Sequence, residues 1–232
     1  MFLTLMYHLV SDRISHPMCV SKKKFIQQIE YLSANDYTFL TINDIIAVLD
    51  GKKAINNGVL LSFDDGYKNT ILDVMPILNE MRIPALLAIC SGYLFYKSEM
   101  DMSKHICDDF ANAQDITDWI SCGNCIASHT YSHKKLTECS EKECDEELHK
   151  DKYLLEKHFN VKLNLLIYPF GARNSSIEKI AKRYYQCAFT TEGGEPPSTI
   201  NRWNIHRTYI NPCWDSKVFA RYLEIEKYKM NK

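Results

Sequence analysis

The sequence predicts an α/β fold: a single distorted (β/α) barrel of about seven parallel strands wrapped by helices. Three observations point there. Short apolar runs alternate with amphipathic stretches along the chain, the pattern of repeated strand–helix units. The polar residues of interest each follow an apolar run, where parallel barrels keep their active sites. The 232 residues, 46% hydrophobic and 25% charged, suit one sizeable domain with a real core. No repeat, low-complexity run or linker divides residues 1–232.

The elements follow in order. Phe2 to Met6 reads as a buried strand. Ser21 is placed as an N-cap, with Phe25, Ile26, Ile29 and Leu32 at helical spacing behind it. Thr41 and Asp44 resemble a capping box opening the helix Ile45 to Leu49, which Gly51 ends. Val59 to Phe63 is a strand, and Ile71, Val74, Met75 and Leu78 line one helix face. Ala85 to Cys90 is the next strand. Tyr93 to Asp109, rich in charge and aromatics, reads as a long loop or lid. Ile116 to Ser121 is a short helix and Cys125 to Ser128 a strand. Glu141 to Phe159 is a long charged helix with Leu148, Leu155 and Phe159 facing inward. Leu163 to Tyr168 is a strand. Ser175 with Glu178 is expected to box a helix running to about Tyr185. Cys187 to Thr190 closes the series, and Gly193-Gly194-Glu195-Pro196-Pro197 reads as a turn.

Composition excludes several classes. The net charge is −1, from 28 basic and 29 acidic residues, so no basic excess advertises nucleic acid. No run approaches the length of a transmembrane helix. The apolar start, Met1 to His8, has no preceding basic segment and is short for a signal sequence, so a cytoplasmic protein is expected. Nine cysteines cannot all pair, and their irregular spacing fits reduced thiols. Cys122 and Cys125 lack a second metal-binding pair and read as small buried residues.

Three segments carry chemistry. In Ser62-Phe63-Asp64-Asp65-Gly66-Tyr67, two carboxylates follow a strand. Neighbours on an extended chain point opposite ways, so a turn must begin here if both serve one site, and Gly66 supplies it. Two carboxylates in one pocket repel, so one wants a cation while the other can act as a base. In Ser128-His129-Thr130-Tyr131-Ser132-His133, the His-x3-His spacing on a helical turn would bring two imidazoles close enough to share a metal. In Tyr168-Pro169-Phe170-Gly171, an aromatic turn after a strand can build a pocket wall.

Together, and in this order, they resemble the polysaccharide deacetylases that share the NodB homology domain, the carbohydrate esterase 4 family. That family's motifs are T/S-F-D-D-G, H-S/T-x-x-H and R-x-P-Y/F-G. The resemblance spans roughly residues 1 to 210. Met6-Tyr7-His8-Leu9-Val10 and the Tyr-Pro-Phe-Gly form are similar to the branch containing the biofilm poly-N-acetylglucosamine deacetylases. The resemblance implies a metal-dependent hydrolase that removes N-acetyl groups from a sugar. It makes Asp65, His129 and His133 the ligands of one divalent ion, zinc by default, with Co2+, Ni2+ or Mn2+ as alternatives. It makes Asp64 the base, with a main-chain N–H near Tyr67 steadying the oxyanion. The sequence departs from the family in two places. The third motif's Arg falls at Ile167, so Asp64 is expected to have a raised pKa unless Arg207 replaces that charge from another strand. No Leu-x-Leu-His motif supplies the usual acid; His206 is the candidate, and His8 is placed at the pocket rim. Relatives on this fold also open cyclic amides and ureides, and a non-catalytic sugar binder is the reading from another class. The expected partner is an N-acetylated sugar in a glycan or on a nucleotide or lipid carrier, met at most peripherally at a membrane.

The cysteine reading is testable directly. Thiol titration of denatured, non-reduced protein should find nearly all nine cysteines free; several stable disulfides would overturn the reduced-compartment expectation.

Overall fold

The computed structural model describes residues 2–107, 109–191 and 201–230. The expected turn at 193–197 lies outside them. The strands, in chain order, are β1 (Phe2–Tyr7), β2 (Leu9–Val10), β3 (Cys19–Val20), β4 (Thr38–Phe39), β5 (Gly58–Phe63), β6 (Leu86–Ile89), β7 (Cys125–Ser128), β8 (Leu165–Ile167), β9 (Cys187–Phe189) and β10 (Thr208–Tyr209). The α-helices are α1 (Lys22–Ala34), α2 (Ile42–Leu49), α3 (Met75–Met81), α4 (Ser91–Phe95), α5 (Ala113–Ser121), α6 (Glu141–Phe159), α7 (Ser175–Ala181) and α8 (Ser216–Met230).

One parallel sheet organises the chain, in the order β10-β1-β5-β6-β7-β8-β9, with β4 paired to β5 beside it. Segment 205–209 draws the two edges together. Ile205 bridges Phe189, while Thr208 and Tyr209 pair with Leu5 and Met6. The sheet is thus curled into a distorted barrel with seven strands along its path. β2 and β3 form a separate small pair.

Alternation along the strands sorts side chains between two cores. Leu3, Leu5 and Tyr7, with Val59, Leu61 and Phe63, face outward onto the helices. Phe2, Leu60, Ala88, Ala127, Ile167, Phe189 and Ile205 fill the interior. Helix α2, opened by the Thr41–Asp44 capping box, packs Ile42 and Ile45 against this inner core. Ser21 caps α1 by accepting from the Lys24 N–H. Ser140 and Glu143 box the start of α6, which presents Cys144, Leu148 and Leu155 inward; Phe159 is only partly buried.

Three expectations change. The cap of α7 is Asn174, one residue earlier than Ser175: its side chain accepts from the Ile177 N–H, and Glu178 pairs with Arg173 instead. Segment 93–109 is more structured than a plain loop: it holds the end of α4 and two 3-10 turns, with Tyr93 buried and residues 96–99 exposed. Cys122 is exposed, bonded to the Asn79 amide, because it caps the C-terminus of α5 rather than facing the sheet. β10 and α8 had no periodic signal strong enough to place them. All nine cysteines are free, and no helix among the described residues is long and apolar enough to cross a membrane.

Asp151 of α6 is fully buried. It accepts from the Ser91 N–H (2.7 Å) and the Ser128 hydroxyl (2.5 Å), to which Tyr185 also donates. Burial pushes its pKa up to about 7, against the two serines and with help from Glu147. An unfolded chain ionises this group near pH 4, so the folded state loses stability as pH rises from there through 7, by about 4 kcal/mol. Asp151→Asn should remove that slope. In chemical unfolding, the variant should gain on its parent between about pH 4 and about pH 7.5; parallel pH profiles would contradict the assignment.

Candidate active site

The inner-facing parity of each strand continues into the loop that follows it. Leu60 and Ser62 lead to Asp64, Ala127 to His129, Met6 to His8, and Ile205 to Arg207. These side chains meet at the C-terminal end of the barrel, at the floor of a cavity of about 710 Å³. Its walls are largely apolar, including Met18, Ile106, Phe170, Tyr209, Trp214 and Tyr222, with His206 also lining it. The Trp214 and Tyr222 rings lie 4.6 Å apart.

Parity alone would turn Asp65 away from the floor. The turn begins at Asp65 itself, with φ +71, and continues through Gly66 at +73, so both carboxylates stay at the site. Asp tolerates this left-handed backbone better than most residues, and glycine freely. The His pair is likewise not on a helical turn. Residues 129–133 form an irregular loop in which Thr130 (φ +67) and His133 (φ +55) are left-handed, and this folds the two imidazoles together. Their ring centroids lie 4.8 Å apart.

Asp64 is held ionised. Arg207, from the loop between Ile205 and β10, donates Nη1 to Oδ1 at 2.6 Å and Nη2 to Oδ2 at 2.8 Å. The remaining guanidinium bonds go to Ser62 Oγ and the Thr190 carbonyl. Burial alone would raise the Asp64 pKa; the Arg207 charge and bonds, with His129 and His8, outweigh it and hold the carboxyl below its usual range. Of the two outcomes the sequence left open at Ile167, the structure has the second: Arg207 replaces the missing charge, and the Asp64 pKa is lowered instead of raised.

Asp65 Oδ1 lies 3.5 Å from His129 Nε2 and 3.3 Å from His133 Nε2. These three residues are the one metal-capable His/Cys/Asp/Glu group among the described residues, with donor atoms within 4.8 Å of one another. Two ligands of a tetrahedral ion stand roughly 3.4 Å apart at usual bond lengths. Asp65 Oδ1 has no hydrogen-bond partner among the described residues although it is buried. His129 Nδ1 lies 2.8 Å from the Ile167 carbonyl, so that nitrogen carries the hydrogen and Nε2 keeps a lone pair for the centre. Burial drives the His133 pKa down to about 3, helped by His129 and His105, which keeps that ring neutral. At His129 burial is outweighed by Asp65 and Asp64, and its pKa is raised. For Asp65 it is outweighed by both histidines and His8, and its pKa is lowered. The site thus favours positive charge at its centre, and the three residues fit a divalent ion.

Several residues sit differently from expectation. Tyr67 is fully buried behind Asp65 instead of lining the cavity. Its hydroxyl accepts from the Ile106 N–H and lies 3.3 Å from His105 Nδ1. Tyr168, Pro169 and Gly171 also stand outside the cavity wall. Tyr168 has the outward parity of Leu166 and joins the outer core, its hydroxyl without a hydrogen-bond partner among the described residues. Gly171 has φ +66 and passes so close to Thr191 that a Cβ would meet its Oγ1 at 2.2 Å. Only Phe170 of that turn reaches the cavity; left-handed itself (φ +59) and 56% exposed, it sets its ring 4.8 Å from that of His133. The sequence reading missed His105. It is fully buried 3.9 Å from Asp65 Oδ2, with its ring centroid 4.2 Å from that of Tyr93. No spacing signal marks it, because it arrives from the irregular segment 97–107.

The polysaccharide deacetylase family profile matches residues 51–186. YxkH of Bacillus subtilis (strain 168) is 26% identical over 225 residues, covering 96% of this chain and 76% of the relative. The poly-beta-1,6-N-acetyl-D-glucosamine N-deacetylase of Staphylococcus aureus (strain MSSA476) is 24% identical over 205 residues, covering 83% of this chain and 68% of the relative. Among solved structures, the Streptococcus pyogenes deacetylase PplD in complex with acetate shares the fold, with a TM-score of 0.82 at 22% identity, covering 95% of this chain and 96% of that one.

Removing Arg207 tests the buried pair. Arg207→Gln strands the Asp64 carboxylate and should cost about 3–5 kcal/mol in chemical unfolding, whereas Asp64→Asn with Arg207→Gln together should recover part of that loss. Additive losses would show that the pair is not coupled.

Proposed function

The chain belongs to the polysaccharide deacetylase family, and we propose that it hydrolyses the N-acetyl amide of an N-acetylated sugar, using a divalent ion, zinc by default, held by Asp65, His129 and His133. The observation that carries this is the ionised, fully buried Asp64 beside an Asp–His–His donor set at the floor of a cavity. A bound ion supplies Lewis acidity, polarising an amide carbonyl and easing deprotonation of water.

The chain's own residues supply the rest. Arg207 grips one lone pair on each Asp64 oxygen, which leaves the others to take the proton of the attacking water. Ile167 replaces the expected Arg but serves through its carbonyl, orienting His129. The departing amine needs a proton. We assign it to His8, which continues the inward parity of β1 onto the cavity floor with Asp64 and Asp65, in preference to His206 on the opposite parity to Arg207. Acetate and a free amine result. Phe170, Tyr209, Trp214 and Tyr222 give the cavity flat apolar faces suited to sugar rings. The poly-N-acetylglucosamine deacetylases among the relatives support an oligosaccharide of N-acetylated hexosamine as the first substrate to try.

The test is mass spectrometry of such oligomers incubated with metal-loaded protein, where each turnover removes one acetyl group. Unchanged mass on oligomers and on nucleotide- and lipid-linked acetamido sugars would sink the reading. The adjacent carboxylates should separate. Asp64→Asn should keep its metal and lose turnover by about 10²–10⁴-fold. Asp65→Asn, His129→Ala and His133→Ala should lose metal by elemental analysis, and full metal retention in both histidine variants would refute the ligand set. Since the base works ionised and its pKa is held down, activity should persist into mild acid, and Arg207→Gln should move the acid limb to higher pH.

A further inference from the structure

Helix α6 meets the loop carrying His129 and His133 at three successive points. Glu147 accepts from the Ser132 N–H at 2.8 Å and from its hydroxyl at 2.6 Å. Lys150 Nζ stands 3.6 Å from the centre of the Tyr131 ring. Asp151 accepts from the Ser128 hydroxyl. Residues 147, 150 and 151 share one helix face, and Ser128 and Ser132 each immediately precede a histidine of the pair.

Neither carboxylate touches the cavity, yet both are buried, Glu147 at 6% exposure and Asp151 at 0%. A buried carboxylate is expensive, and an apolar side chain would pack α6 against the sheet at less cost. What a carboxylate adds is the ability to hold donors in place. This loop has that need. Thr130 and His133 are left-handed residues without a glycine's freedom, a backbone that persists only when its surroundings over-determine it.

We propose that Glu147, seconded by Asp151, is a positioning residue for the metal-donor pair: it pins Ser132 so that His133 keeps its left-handed turn and presents Nε2 towards Asp65. The inference rests on the metal reading above. Glu147 acts through Ser132 and contacts no ligand atom itself, the arrangement by which supporting groups tune a metal centre.

The experiment is zinc affinity by competition with a chromophoric chelator, with the Co2+ absorption spectrum as a second readout. Glu147→Leu keeps the bulk but removes both acceptors, whereas the amide of a Gln could still donate to Ser132 Oγ. Its zinc affinity should fall about 10–100-fold and its Co2+ spectrum should change. Its circular dichroism and metal-free melting temperature should stay near wild type. Ser132→Ala keeps the main-chain bond and should lose less, about threefold or more. Glu146→Gln, on the exposed side of α6 and paired with Lys142, should change nothing. A folded Glu147→Leu protein with unaltered affinity and spectrum overturns the proposal. If that variant does not fold, unaltered affinity in Ser132→Ala overturns it. Wild-type protein that binds no zinc or cobalt fells the metal reading and this one together, whereas tight wild-type binding with unmoved variants fells this one alone.

Discussion

The ion pair between Arg207 and Asp64 is the contact on which the site depends. Both side chains are buried, so each charge needs the other, and the fork geometry gives two bonds of 2.6 and 2.8 Å. A buried pair repays its desolvation only when the remaining donors are satisfied too, and Ser62 and the Thr190 carbonyl do this for Arg207. The pair also joins distant parts of the chain. Asp64 immediately follows β5, while Arg207 arrives 143 residues later, in the segment that lies between β9 and β1. One contact therefore keeps Asp64 ionised and ties the last strands of the barrel to the first.

The rest of the floor follows from strand parity and its deliberate violation. Apolar inner residues fill the barrel, and the next inner position along each chain is polar: Asp64, His129, His8 and Arg207. Three residues that reach the site without that parity, Asp65, His133 and Phe170, all have left-handed backbone, at φ +71, +55 and +59. Such conformations are uncommon outside glycine and concentrate at functional sites, where surrounding contacts hold them. Here those contacts include Gly66, Glu147 and the close passage of Gly171 past Thr191.

Electrostatics and shape divide the cavity into two zones. At its floor, carboxylates and imidazoles perturb one another strongly enough to lower Asp65 and raise His129, while burial holds His133 neutral. Around that floor the walls are aromatic and apolar, so a ligand's reacting group meets charge while its body meets flat surfaces.

The sequence by itself determined the α/β class, most strands and helices, and which polar residues to look for at one end of the barrel. Strands β1, β5 and β7 and helix α6 were legible because period and caps are local signals. The Asp64–Asp65 and His129–His133 pairs were legible because short spacing constrains reach. The tertiary structure decided the rest. It brought Arg207 to Asp64, which no spacing over 143 residues can foretell, and so decided between the two outcomes left open at Ile167. It moved Tyr67 and Tyr168 off the cavity wall, since which side a residue faces depends on where the strand ends and the turn begins. It delivered His105 from an irregular segment and set α6 behind the histidine loop. Local pattern encodes which residues lie on one face of one element; only the closing of the sheet decides which faces meet.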